Sequence, residues 1–285
     1  MSVRLSLVVT TVGRVPEILR LVRSVERSPV VDQIELVVVD QSPDQRVVRA
    51  VSEAAPRVRW RGGTSARGAS LGRNVGLSLA TGELVGFPND NTWFAGPTLA
   101  DIIARFDAAP ELGGLCLKLT TADGRPAMLR WARHAVPVHG RNAHRTAILP
   151  GMFFRRDLVG RAGGFDETIG TGSAGPAQSG EETDLLLKVL ADGGRVDYDP
   201  ALTVHNDEPR DRIGPHFVTK MAGYGVGQGL LWRRHHLPTW LLAGLVCRKL
   251  VAAPLRAARG QRYLAHADLA WARGCVTGYL HGRRA

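Results

Sequence analysis

Residues 34–40, IELVVVD, narrow the fold more than any other stretch of this chain. A strand so apolar and so rich in β-branched side chains is covered on both faces, and such strands belong to parallel sheets with crossover helices. LSLVVTT at 5–11 and ELVGF at 83–87 have the same character. Between the first two runs, Pro16 suits a first helical turn, and Ile18, Leu21, Val22 and Val25 recur at helical spacing. SLGRNVGLSLATG at 70–82 reads as a second helix closed by Gly82. Thr10, Thr11, Asp40 and the triplet Asn89-Asp90-Asn91 therefore all follow strands at their carboxyl ends, the edge where open α/β sheets bind ligands. No G-x-G-x-x-G follows the first strand, so a nicotinamide or flavin site has no support.

The pattern changes after residue 110. GLCLKLTTADGRPAML at 114–129 predicts two strands around an Asp-Gly turn. An Arg- and His-rich loop follows at 130–145, then a Gly-rich stretch, a helix over ETDLLLKVLADGG at 182–194, and strands over RVDYDP and ALTVHND. The expected organisation is a catalytic α/β domain at 1–208 and a helical extension at 209–285.

Charge separates the two parts. Of 37 Lys and Arg and 26 Asp and Glu, residues 1–208 hold 24 of each, whereas 209–285 hold 13 and 2. An excess of this kind points to an anionic partner or to a solvated basic face. Trp232, Trp240, Leu241, Leu242 and Trp271, interleaved with those charges, suit a helix lying on an anionic membrane surface; packing on the first domain or in a homodimer is the alternative. The most apolar run, 240–246, is far shorter than the ~20 residues a spanning helix needs. A nucleic-acid partner is not expected, because no recognition helix or aromatic-basic platform accompanies the charge. Three widely spaced cysteines, without a C-x-x-C pair, fit a reducing compartment, and a cytoplasmic protein at the inner face of the membrane is expected.

The polar clusters admit two readings each. Asn89-Asp90-Asn91 can form a turn or hold a phosphate and its metal. Asp40 can cap a turn or helix, or accept a hydrogen bond from a ligand. Ser179 and Glu182 form S-x-x-E, a capping box, yet three acids open that helix. Trp93 and Phe94 can stack on a sugar ring or pack the core.

The motifs VVTTVGR, ELVVVDQS, GASLGRNVGL, GELVGFPNDN, GMFFRRDLVGRAGGFDETIG and SGEETDLLLKVLADGGRVDYDP, in that order over residues 5–208, resemble the family-two glycosyltransferases, which have the GT-A fold. The resemblance implies a mixed, mainly parallel sheet flanked by helices, and an inverting transfer of a sugar from a nucleotide-diphosphate donor to a hydroxyl acceptor. By the same resemblance Thr10, Thr11 and Arg14 meet the donor nucleotide, Asp40 its base, and Arg73 its diphosphate, with Asn89 and Asp90 on the sugar nucleotide. Asp90, Asn91 and His205 are the ligands implied for a divalent Mg or Mn ion. Glu182 stands at the position of the catalytic base, one methylene longer than the Asp usual there, with Asp184 in reserve. Trp93 and Glu181 are expected beside the acceptor. The departure of the triplet from two acids to one leaves a second reading open, a degenerate domain that binds a sugar nucleotide or glycan without turnover.

Overall fold

The computed structural model describes residues 2–207 and 212–281, which gather into two compact units. The first comprises 1–67, 71–165 and 185–208; the second comprises 68–70, 166–184 and 209–285, so two short internal segments group with the C-terminal helices.

The first unit is built on one nine-stranded mixed sheet. Strands β1 (Leu5–Thr11), β2 (Ile34–Asp40), β3 (Arg59–Thr64) and β4 (Leu84–Gly86) run parallel in the order β3-β2-β1-β4. Every residue of β2 is buried, as its apolar run requires. Helices α1 (Val15–Glu26) and α2 (Arg46–Glu53) are crossovers; α1 turns Ile18, Leu21, Val22 and Val25 into the core. Helix α3 (Ala69–Leu79) ends three residues before Gly82. Gly82 is not its cap: it lies against β1, where its N–H donates to the Ser6 hydroxyl at 2.8 Å and a β-carbon would strike the Ser6 backbone. Strand β3, with sequence RWRGGT, escapes a periodicity reading because it is an edge strand showing arginines to solvent.

Beyond β4 the sheet turns antiparallel. After β5 (Thr92–Trp93) and helix α4 (Thr98–Ala108) come β6 (Leu112–Thr120), β7 (Val136–Pro137) and β8 (Met152–Arg155), the last followed by the short helix α5 (Arg156–Arg161). Strand β8 joins β4 to β6, both antiparallel to it. Helix α6 (Glu181–Ala191) precedes β9 (Arg195–Asn206), which is parallel to β6 and antiparallel to β5 and β7. Two sequence expectations are corrected here. The hairpin over 114–129 is one strand plus a single Thr120–Pro126 bridge, since Pro126 has no N–H to extend a ladder. The two short strands at 195–207 are one, with its register shifted opposite Leu117 and Lys118.

The second unit contains α7 (Pro215–Arg234), α8 (Thr239–Ala258) and α9 (Arg262–His281). Helices α7 and α9 meet backbone to backbone. A β-carbon on Gly225 or Gly229 would overlap the carbonyl of Trp271 or Cys275, and one on Gly274 or Gly278 would overlap that of Ala222 or Val226. Each helix thus offers a small-x-x-x-small pair to the other, the spacing that puts two glycines on one face. Helix α8 packs on α9 through Leu242, Leu245 and Val246 against Trp271, Cys275 and Tyr279.

Candidate active site

In the first unit the carboxyl ends of β1 and β4 bring Thr11, Arg14 and Asp90 together. The Thr11 hydroxyl donates to Asp90 Oδ2 at 3.2 Å, and Arg14 pairs with Asp90 Oδ1 at 3.1 Å. Thr11 in turn accepts the Arg14 backbone N–H at 3.3 Å, which fixes the bend after β1. Strand alternation sends Thr10 to the opposite face, where it lies under Gly72 of α3. Burial pushes the Asp90 carboxyl above its ordinary range, and Arg14 and Thr11 offset that only in part. The carboxylate is therefore short of positive partners, and a ligand bringing hydroxyl donors or cationic charge would complete its shell.

The triplet is also a turn. The Thr92 N–H donates to the Asn89 carbonyl at 3.0 Å, and the Asn89 N–H to the Thr92 hydroxyl at 3.1 Å. That turn is what lifts Asp90 off the strand end. The Asn91 carbonyl accepts from Arg20 at 3.3 Å. Arg20 also pairs with Asp207 at 2.6 Å and lies 4.1 Å above the Trp93 ring, while His205 stacks on Trp93 at 5.4 Å and 18°. Trp93 thus contacts both Arg20 and His205. Phe94 is core. Neither Arg20 nor Asp207 was picked out from the sequence, where each reads as an ordinary surface charge.

Asp40 is 1% exposed, and its carboxylate accepts four hydrogen bonds: from the Ser42 N–H at 2.8 Å, the Ser42 hydroxyl at 2.6 Å, and the Val47 and Val48 N–H groups at 2.8 and 3.2 Å. Four donors fill the roughly four lone-pair sites of a carboxylate. Asp40 accordingly caps α2 and closes the loop after β2, and the expected bond to a nucleotide base has no acceptor site left on it. Burial alone would raise its pKa; the bonds from Ser42, Val47 and Val48 outweigh it, and the net shift is downward. A group depressed in the folded state stabilises above its unfolded pKa and loses that contribution as pH falls through the folded one. Asp40→Asn is expected to cost about 2 kcal/mol at neutral pH, with the gap to wild type closing below the carboxylate range; urea unfolding at pH 7 and pH 3 measures both.

Arg73, on α3, is 8% exposed, with its guanidinium 5.5 Å from the Phe165 ring. His205 Nδ1 lies 3.1 Å from the Thr120 hydroxyl and 3.3 Å from the Thr121 carbonyl. A divalent cation takes six or more hard oxygen ligands. Among the described residues no group of three or more His, Cys, Asp or Glu could hold a metal ion. The triplet supplies one carboxylate, already shared with Arg14, so Asp90, Asn91 and His205 do not by themselves make a metal site. A cavity of about 570 Å³, also in the first unit, is lined by Lys118, Arg130, Arg133 and Arg145 over Leu129 and Trp131.

The second unit holds the acidic opening of α6. Gly180, at φ +101°, caps the helix: its carbonyl accepts the Asp184 N–H at 2.9 Å. The Ser179 hydroxyl donates to the Tyr224 carbonyl at 3.1 Å. Asp184 is fully buried, with Oδ1 accepting from His235 at 2.8 Å and Arg234 at 3.2 Å; Arg234 also pairs with Asp166 at 2.7 Å. That network fixes Asp184 as a structural acid and corrects its place as a reserve base. Only the RRHH run at 233–236 could have signalled it from the sequence. Glu181 is buried beside Gly170, and Glu182 is half-buried in the first turn.

A mixed, mainly parallel sheet with polar residues massed at the carboxyl ends of its first strands, and a C-terminal helical region, is the GT-A fold of nucleotide-diphospho-sugar transferases. The model of Glycosyl transferase family 2 matches residues 6–146. A relative from Rhizobium meliloti (strain 1021), the succinoglycan biosynthesis protein ExoM, is 27% identical over 188 residues; the match spans 61% of this chain and 57% of that protein. Two solved structures share the fold. The Pyrobaculum calidifontis mannosyltransferase PcManGT, in complex with GDP-Man and Mn2+, has a TM-score of 0.64 at 20% identity, covering 96% of this chain and 87% of its own. S. aureus TarS 1-349, in complex with UDP-GlcNAc, has a TM-score of 0.61 at 17% identity, covering 99% and 92%.

Proposed function

We propose that this protein transfers a sugar, with inversion, from a nucleotide-diphosphate donor to the hydroxyl of an acceptor. The observation that carries this reading is the Thr11-Asp90-Arg14 group at the open edge of the sheet, in a chain whose residues 6–146 match that family model. The donors bound by PcManGT and TarS, GDP-Man and UDP-GlcNAc, support the nucleoside-diphosphate class. Glu182 takes the proton of the acceptor hydroxyl as its oxygen attacks the anomeric carbon, and the bond to phosphate breaks with its electrons on the departing nucleoside diphosphate. Arg14 and Arg73 are the cations for that leaving charge. Asp90, short of partners, receives the sugar hydroxyls. An acceptor bearing phosphate or carboxylate is favoured by the cavity among Lys118, Arg130, Arg133 and Arg145.

Calorimetric titration with UDP, GDP and dTDP sugars, in EDTA and in Mn2+, tests the reading. One donor class is expected to bind, and to weaken about tenfold or more in Arg14→Ala and Asp90→Asn; the EDTA and Mn2+ arms read whether a divalent ion contributes. Binding that Arg14→Ala leaves unchanged would overturn the arginine assignment. Absence of binding by every donor would overturn the transferase reading, and binding without turnover would favour a degenerate sugar-nucleotide domain, which Asn89 and Asn91 support.

A further inference from the structure

Helix α8 is apolar on two faces: Leu242, Leu245 and Val246 pack against α9, and a second apolar row looks outward. A helix on a protein surface ordinarily turns its apolar stripe inward and its charges to water. Here Lys249 and Arg256 face inward and pair with Asp268 at 2.7 and 3.0 Å, and that carboxylate is 1% exposed on α9. The outer face carries Trp240, Gly244, Cys247, Val251, Pro254 and Ala258 at alternating steps of four and three, with Leu250 and Leu255 beside them. Trp240 is 70% exposed, Val251 62% and Leu255 56%. Of the five apolar residues expected at a membrane from sequence, Trp240 alone belongs to this face; Trp232, Leu241, Leu242 and Trp271 pack inside the unit.

The helix is 20 residues long, and no described helix is long and apolar enough to cross a membrane. Its outer face therefore meets an interface. Arg248 is exposed at the rim of the stripe, and Arg259, Arg262 and Arg273 are exposed on and around the two helices. Residues 212–281 carry ten Lys and Arg against one acid, Asp268, which is already paired. A second copy would bring the same positive excess to the contact, whereas an anionic surface would neutralise it. Nucleic acid would meet the charge but not a row of Val, Leu and Trp. We infer that the outer face of α8 is a membrane-docking surface that lies in the headgroup region of an anionic bilayer, Trp240 at one end and arginines along the rim.

This inference is independent of the transferase reading, and its test does not use activity. The chain is sedimented with phosphatidylglycerol and with phosphatidylcholine vesicles at low and high salt. Cys247 is exposed on the stripe while Cys116 and Cys275 are buried, so an environment-sensitive thiol dye reports on this face. Expected are binding to the anionic vesicles alone, loss at high salt, and a blue shift of the dye. Val251→Glu with Leu255→Glu changes only exposed positions and is expected to weaken partitioning at least about tenfold, with the melting temperature held. Arg248→Gln should weaken it about fivefold. Indifference to anionic vesicles, or binding that survives the double variant, would overturn the inference. A dimer in analytical ultracentrifugation that the double variant dissolves would overturn it too, in favour of a second copy on this face.

Discussion

Glu182→Gln is expected to lower the single-turnover rate by about 10² to 10⁴, the usual contribution of a positioned acid or base, and to leave donor affinity unchanged. Gln preserves the size and hydrogen-bonding reach of the side chain and removes only its ability to take a proton. The structural alternative for an acid at this position is a capping box with Ser179, and it makes a different forecast, about 1 kcal/mol lost in stability with turnover retained. Melting temperature and single-turnover rate, measured together on Glu182→Gln, separate the two. Asp184→Asn is the contrasting variant. It breaks a buried group tied to Arg234 and His235, and its loss should appear first as stability. Retention of full turnover by Glu182→Gln would remove Glu182 from the chemistry.

The second large effect concerns α7 and α9. Gly225→Val or Gly229→Val is expected to cost at least about 3 kcal/mol, the upper end of overpacking, because the clash is with backbone carbonyls that cannot rotate away. Gly244→Ala on α8 is the internal control. A β-carbon there meets nothing within 4 Å, and the change should stabilise by about 0.5–1 kcal/mol through helix propensity alone. Urea unfolding of the three variants gives opposite signs if the glycine interlock is as described; a Gly225→Val protein as stable as wild type would contradict it.

The sheet was legible where strands are buried on both faces. In LSLVVTT, IELVVVD and LVG apolar residues fill both faces and the few polar ones inside the runs, Ser6 and Glu35, are buried with them, and the helix between the first two was marked by Pro16 and its apolar stripe. Strand β3 was illegible because its contribution is backbone pairing at an edge, with glycines and arginines in place of a hydrophobic pattern. The polar edge of the site was legible because strand ends and ligand chemistry coincide there. What could not be read was how each carboxylate spends its lone pairs. Asp40 and Asp90 stand at equivalent strand ends; one is filled by local amides and the other is held open by a threonine and an arginine. Asp184 looks catalytic in the string EETD, and only the fold brings Arg234 and His235, fifty residues away, onto it. The direction of α8 was likewise hidden, since a helix with apolar residues on two sides does not say which of them is covered.

The clasp that Arg20 makes on Asn91, Trp93 and Asp207 bears on the energetics of ligand capture. Asn91 and Trp93 flank the very turn that presents Asp90, so that turn is rigidified when the chain folds rather than when a ligand arrives. The entropy of ordering it is charged to the folding equilibrium, and an incoming nucleotide sugar meets a turn already in place. Capture by such an edge would proceed with little backbone rearrangement and a small heat-capacity change, as for a lock already cut to its key.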